Sequence, residues 1–260
     1  MKTNQNIENE KEWHEQKFYI DNGHWTSKPL FASRERHWLK NDFQKIRFFG
    51  DLFHYLKNKS YFQKAKILMA PVGNGDDLKY LHGFYEEDIH GIDISEYALK
   101  KCPSTIIKKA RDILNSGYEN ASFDLIICCQ FLHHTHKIGF EPFIQEFYRI
   151  LRPGGVLAIM EPSEFYPLSF IFRFLNKWLG NVTGKVNDEK PIQPSKITKI
   201  LKSNNFENIQ VHGLSYNHVR FPIIIQNLIN LIDFLFRRLY PFNMAAESVG
   251  WYGQKHSDDK

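Results

Sequence analysis

The chain has 260 residues and a formal charge of +5, with 34 Lys and Arg against 29 Asp and Glu. It is long enough to bury a substantial core, and its lysines are scattered over surface helices rather than gathered into a nucleic-acid stripe. Three cysteines, two of them adjacent in an apolar run (Cys128, Cys129), exclude a disulfide framework and a zinc pattern and read as reduced thiols.

The opening "MKTNQNIENEKEW" lacks the apolar core of a signal peptide. No uninterrupted apolar run approaches the roughly 18 residues that cross a membrane, so a cytoplasmic protein is expected. Residues 1–60 read as a helical, aromatic cover whose longest piece is "FASRERHWLKNDFQKIRFFGDLFHYL". Residues 61–260 read as one domain with helical insertions at about 163–193 and 221–241.

Short apolar runs rich in β-branched residues then alternate with helical patterns. "KILMA", "HGIDI", "TIIKK", "FDLIICCQ" and "GGVLAIMEP" are five expected strands. "DLIICC" has no polar alternation, as befits a central parallel strand covered on both faces. Between strands, "FEPFIQEFYRIL" places Phe140, Phe143, Ile144, Phe147, Ile150 and Leu151 at helical spacing. "RPGG" is expected to be the turn that stops this helix. "PSKITKILKSNNF", "NIQVHGLSY", an apolar helix around 222–240 and "SVGWYGQK" complete the order. The alternation predicts an α/β fold: a Rossmann-like, doubly wound, mostly parallel seven-stranded sheet with helical N-terminal and lid additions.

The stretch "ILMAPVGNGDDLKYL" (67–81) is a strand, a turn with Gly73 and Gly75, and a helix expected to begin at the aspartates. A dinucleotide fingerprint needs a third glycine where Leu78 stands, and a P-loop needs a Gly-Lys-Ser/Thr ending. Both are excluded. Asp93 ends the next strand, eighteen residues beyond Gly75, near the spacing at which an acid meets a ribose. Asp112 in "KARDIL" could receive an adenine amino group.

Taken in order, "APVGNGDD", "GIDIS", "ARDI", "FDLIICCQFLHH" and "RILRPGGVLAIMEP" resemble the class I S-adenosylmethionine-dependent methyltransferases, over residues 65–163. The resemblance implies S-adenosyl-L-methionine as cofactor and a small-molecule acceptor, with O-methylation favoured. It places the cofactor against Pro71, Gly73, Asn74, Gly75, Asp93, Ile94, Asp112, Ile113, Cys129 and Gln130. A catalytically weak binding protein of the same fold and an RNA or protein methyltransferase are the alternatives. The family's acid two positions before its first glycine is missing: Met69 and Pro71 hold those two places. Asp76 or Asp77 could supply the lost charge, or both could simply be helix-start carboxylates.

Just past the fourth strand, one of His133 and His134 is a candidate general base, with His134 the preferred choice, against the reading that the pair packs locally. With His136 they form H-H-x-H, but adjacent side chains diverge and no metal is expected. Glu161 either faces the site or is a structural acid in its "EP" turn, and Asp124 is expected to be structural. "FYPLSFIFRFLNKWLG" and "FPIIIQNLINLIDFLFRRLYPF" each carry one narrow polar stripe and a wide apolar arc. The arc fits a lipophilic acceptor, core packing, a homodimer interface or peripheral membrane contact.

Overall fold

The computed structural model describes residues 34–57, 64–81, 88–169, 190–217 and 223–257. The first helix, α1 (Arg34–Leu56), precedes strand β1 (Lys66–Met69). Then come β2 (Asp88–Asp93), α2 (Glu96–Lys101), β3 (Ile107–Ala110), β4 (Phe123–Cys129), α3 (Glu141–Ile150) and β5 (Leu151–Pro162). The chain continues through α4 (Pro194–Ser203), β6 (Phe206–Ser215), α5 (Ile223–Phe236) and β7 (Ser248–Lys255). The seven strands lie in the order 3-2-1-4-5-7-6. β1 to β5 pair in parallel, and β7 runs antiparallel between β5 and β6. The expected doubly wound sheet is the observed one.

Period-two alternation sends each central strand into two cores. Ile67, Met69, Leu125, Ile127, Val156 and Ala158 pack under α1 with Phe48, Phe49, Leu52 and Tyr252. Leu68, Ile126, Cys128, Leu157 and Ile159 face the other way, onto Phe143, Ile144 and Phe147 of α3 and Ile197 and Leu201 of α4. Every residue of β4 is buried, which explains its uninterrupted apolar run. β3 is the edge, largely exposed, and carries lysines.

Two local expectations are corrected. The aspartates after the glycine turn open only a five-residue 3-10 helix, Asp76–Tyr80. "RPGG" lies inside β5, not before it. There the register steps from Phe123↔Leu151 to Leu125↔Val156, a bulge with Gly154 at φ 75°. The strand therefore starts at Leu151 and absorbs the turn residues as an irregularity.

On α5, part of the polar stripe is tied inward: Asp233 is completely buried, and the Oδ1 of the exposed Asn230 accepts from Asn217 Nδ2 at 3.0 Å. Arg47 Nη1 of α1 donates to Asp233 Oδ2 at 2.6 Å, and the Tyr216 amide donates to its Oδ1 at 2.8 Å. The apolar arc points outward, with Ile224 73% and Phe234 79% exposed and Leu228, Leu231 and Leu235 also exposed. Of the expected insertion, residues 170–189 lie outside the described residues, as does 1–33 of the N-terminal cover. Among the described residues, no helix is long and apolar enough to cross a membrane.

Charge also fastens α1 to the segment after α5. Buried Asp51 pairs with Arg237 and with Arg238 Nη2 at 3.1 Å, and His212 Nδ1 lies 3.2 Å from it. Burial alone would raise the Asp51 pKa, but His212, Arg237 and Arg238 outweigh it and hold the carboxyl below its ordinary 3.8. A depressed carboxylate pKa stabilises the fold above its unfolded value, and the contribution disappears as pH falls through the folded value. Asp51→Asn should cost about 3 kcal/mol near neutral pH. In urea titrations, the difference between the two proteins should be constant above the ordinary carboxylate range and shrink below it.

Candidate functional site

The carboxyl ends of β3, β2, β1, β4 and β5 form one edge, and nearly all the residues singled out in the sequence converge on it. Ala70 N donates to Ile127 O at 2.9 Å, joining the exits of β1 and β4. Val72 N donates to Ile92 O at 2.9 Å, joining the glycine turn to β2. Asp93 completes the link. Its Oδ2 accepts from Gly73 N at 2.8 Å and its Oδ1 from Ser95 N at 2.9 Å, so one carboxylate holds the turn and caps the entry to α2.

The two glycines have different reasons. Gly73 has φ 55°, and a Cβ there would meet nothing within 4 Å, so open space lies against its backbone. Gly75 has φ 83°, and a Cβ would strike Cys102 Sγ at 2.7 Å and Pro103 Cδ at 2.8 Å. Gly75 is therefore glycine for packing, whereas Gly73 leaves a cradle. Pro71 and Asn74 sit half-buried on either side, and Asn74 is tied to Asp76 by bonds at 3.0 and 3.3 Å.

Ile94 is half-buried beyond Asp93. Asp112 caps the following 3-10 turn, its Oδ1 accepting from Leu114 N at 3.0 Å, and its other oxygen remains for a ligand. Ile113 turns its side chain into the core, so only its backbone could meet a ligand. Cys128 and Cys129 end β4, and burial pushes both thiols far above their ordinary range, so neither is a nucleophile. Gln130 follows in the left-handed region, φ 55°, with its amide on Met160 O at 2.8 Å. A non-glycine residue held there marks a constrained position at the strand exit.

Glu161, at the end of β5, is wholly buried. Its Oε1 accepts the amides of Phe131 at 2.8 Å and Leu132 at 2.6 Å. Its Oε2 lies 2.7 Å from His133 Nδ1. An ionised carboxylate only accepts, so His133 carries its proton on Nδ1 and presents Nε2 as a basic lone pair. The His134 ring packs on His133 with centroids 4.0 Å apart. His136 instead reaches Lys190 O at 2.7 Å, so His133 and His136 serve different partners. Asp124 accepts Lys66 N at 2.8 Å and two bonds from Arg152 at 3.0 Å, a structural clasp at the entry of β4.

One residue escaped the sequence reading. Lys45, on α1, forms an ion pair with Asp77 of the post-glycine turn. Nothing local marks it, because the partners are 32 residues apart and belong to different elements.

These residues fit S-adenosylmethionine. Open space faces Gly73, Asp93 keeps unused lone pairs on both oxygens for ribose hydroxyls, and Asp112 stands one strand further on.

Comparison with known proteins agrees. A family model described as "Methyltransferase domain" matches residues 68–159. A polyketide synthase-nonribosomal peptide synthetase of Pyricularia oryzae is 30% identical over 118 residues, 44% of this chain but 3% of that protein. The chain thus spans only a few per cent of the curated relatives it matches. Among solved structures, a possible histamine N-methyltransferase from Thermotoga maritima superposes with a TM-score of 0.60 at 15% identity. That match covers 85% of this chain and 93% of the other. A 1,6-didemethyltoxoflavin-N1-methyltransferase of Burkholderia thailandensis, solved with S-adenosylhomocysteine, gives 0.50 at 13% identity, covering 84% and 81%. Family match, sheet order and cofactor edge together show that the chain carries a class I S-adenosylmethionine-dependent methyltransferase domain.

Proposed function

We propose that this protein moves a methyl group from S-adenosylmethionine to a hydroxyl of a small lipophilic acceptor, with His133 as general base. The observation that carries the proposal is the His133–Glu161 dyad at the exit of β4. When bound, the cofactor supplies an electrophilic methyl on a sulfonium sulfur. Gly73 and the Asp93 carboxylate hold the nucleoside, and Asp112 its base. His133 Nε2 accepts the hydroxyl proton as the oxygen attacks, and Glu161 stabilises the resulting imidazolium through Nδ1. His134 packs beside that ring and is a supporting group in this reading.

Two features support a lipophilic acceptor. The apolar arc of α5 faces outward beside α1, to which Arg47 and Asp233 tie it. The curated relatives include polyketide synthases, among them a squalestatin tetraketide synthase. The same arc supports transient contact with a lipid surface, where such an acceptor would be met.

Asp93→Ala should weaken S-adenosylhomocysteine binding about tenfold or more by calorimetry. Unchanged affinity would show that Asp93 does not hold the ribose.

For the base, methyl transfer from radiolabelled cofactor to alkyl-substituted phenols can be followed against pH. The rate should fall toward acid pH as the base is protonated. His133→Asn should lower kcat at least about 100-fold and abolish that acid limb, with S-adenosylhomocysteine affinity retained. A limb that persists in the variant would assign the base elsewhere.

Across the same phenols, transfer should rise with alkyl chain length, and the protein should float with phosphatidylglycerol vesicles. Transfer confined to water-soluble acceptors, with no flotation, would remove the lipophilic reading.

A further inference from the structure

We propose that the Lys45–Asp77 ion pair is the binding site for the amino-acid end of S-adenosylmethionine, opening so that Asp77 takes the ammonium and Lys45 the carboxylate. This rests on the cofactor reading given above and adds what that reading lacks, a holder for the zwitterion.

The need arises at position 69. Met69 is buried in the apolar layer beneath α1, among Ile67, Ile127 and Ala158, and it can neither accept nor donate a useful hydrogen bond. An ammonium brought to this edge has to find its carboxylate elsewhere.

Of the two aspartates after the glycine turn, geometry selects one. Asp76 is exposed and tied to Asn74, through its own amide and its Oδ2. Asp77 turns the other way, toward α1, and keeps only 14% of its side-chain exposure. Lys45 keeps 22%. Burial, the largest effect on Lys45, pulls its pKa down, yet the carboxylates of Asp77 and Asp76 outweigh it and hold the ammonium charged. Asp77 lies on the turn four residues after Gly73, and Lys45 lies one helical turn before Phe48 and Phe49, which share a core cluster with Met69 and Cys129 at the ends of β1 and β4.

A lysine ammonium and a carboxylate facing each other are the charge complement of an α-amino acid. If they part by a few ångströms, a zwitterion fits between them with each charge met by its opposite. Before and after binding, no buried charge stands alone, which is the condition for largely desolvated ions to persist. Binding costs the one bond between the side chains and returns two charge-assisted bonds to the ligand.

The test compares two probes by calorimetry: S-adenosylhomocysteine, and 5′-methylthioadenosine, which lacks the amino-acid end. Asp77→Asn and Lys45→Met should each weaken S-adenosylhomocysteine binding about tenfold to a hundredfold. Affinity for 5′-methylthioadenosine should stay within about threefold. Should a lone buried charge unfold either variant, the double variant Lys45→Met with Asp77→Leu removes both charges and should show the same selective loss. Full retention of S-adenosylhomocysteine affinity in these variants would overturn the proposal. So would an equal loss of both probes, which makes the pair a clasp between α1 and the turn. A wild-type protein that binds neither probe would instead overturn the cofactor reading itself, and this proposal with it.

Discussion

Parallel strands end in a row of main-chain groups that no neighbouring strand can pair, and the loops leaving them must be satisfied some other way. Here two buried carboxylates do this. Asp93 takes the amides of Gly73 and Ser95, and Glu161 takes those of Phe131 and Leu132. Each carboxylate fixes a loop that the sheet alone would leave loose. Asp93 thereby sets the path of the glycine turn over the cradle at Gly73, and Glu161 sets both the 3-10 turn and the ring of His133. The site is organised by acids whose first task is to hold backbone.

That double use explains why the edge can be both rigid and reactive. A carboxylate with two amide donors is held in orientation, and it can still accept another bond. On Asp93 the spare capacity is what the proposed function assigns to a ribose. On Glu161 it is spent on His133 Nδ1, which decides the tautomer before any acceptor arrives. A histidine pre-set in this way loses less orientation entropy in the reaction than one held by packing alone.

Much of this was legible in the sequence, for a physical reason. Strands buried on both faces leave unbroken apolar runs, and residues at strand ends follow those runs at fixed offsets, so Asp93, Asp112, Cys129 and Gln130 could be placed by counting. What escaped came from elements whose partners are distant in sequence. The polar stripe of α5 was visible, but not the partners it meets. Asp233 is buried against Arg47, Tyr216 and Ser215, which lie 186, 17 and 18 residues away. The bulge at "RPGG" was hidden too, since Pro and Gly signal a turn equally well inside a strand and before one. Glu161 was visible as an acid near the site, but its choice of His133 over His134 depends on a contact across 28 residues.

The loss of an acid at position 69 follows from where α1 lies. Phe48, Phe49 and Leu52 press on the same face of the sheet that receives Met69. A carboxylate beneath that layer would be desolvated with no cation of its own at hand, whereas methionine fills the irregular space at no such cost. The helix that makes an acid there unfavourable also delivers Lys45 to the rim of the same edge, where Asp77 meets it. A charge at the rim can rearrange to meet a ligand, and one fixed under a packed helix cannot. The same helix thus covers Met69 in the core and carries the Lys45 that meets Asp77, so the proposed amino-acid site and the packing over β1 depend on one element.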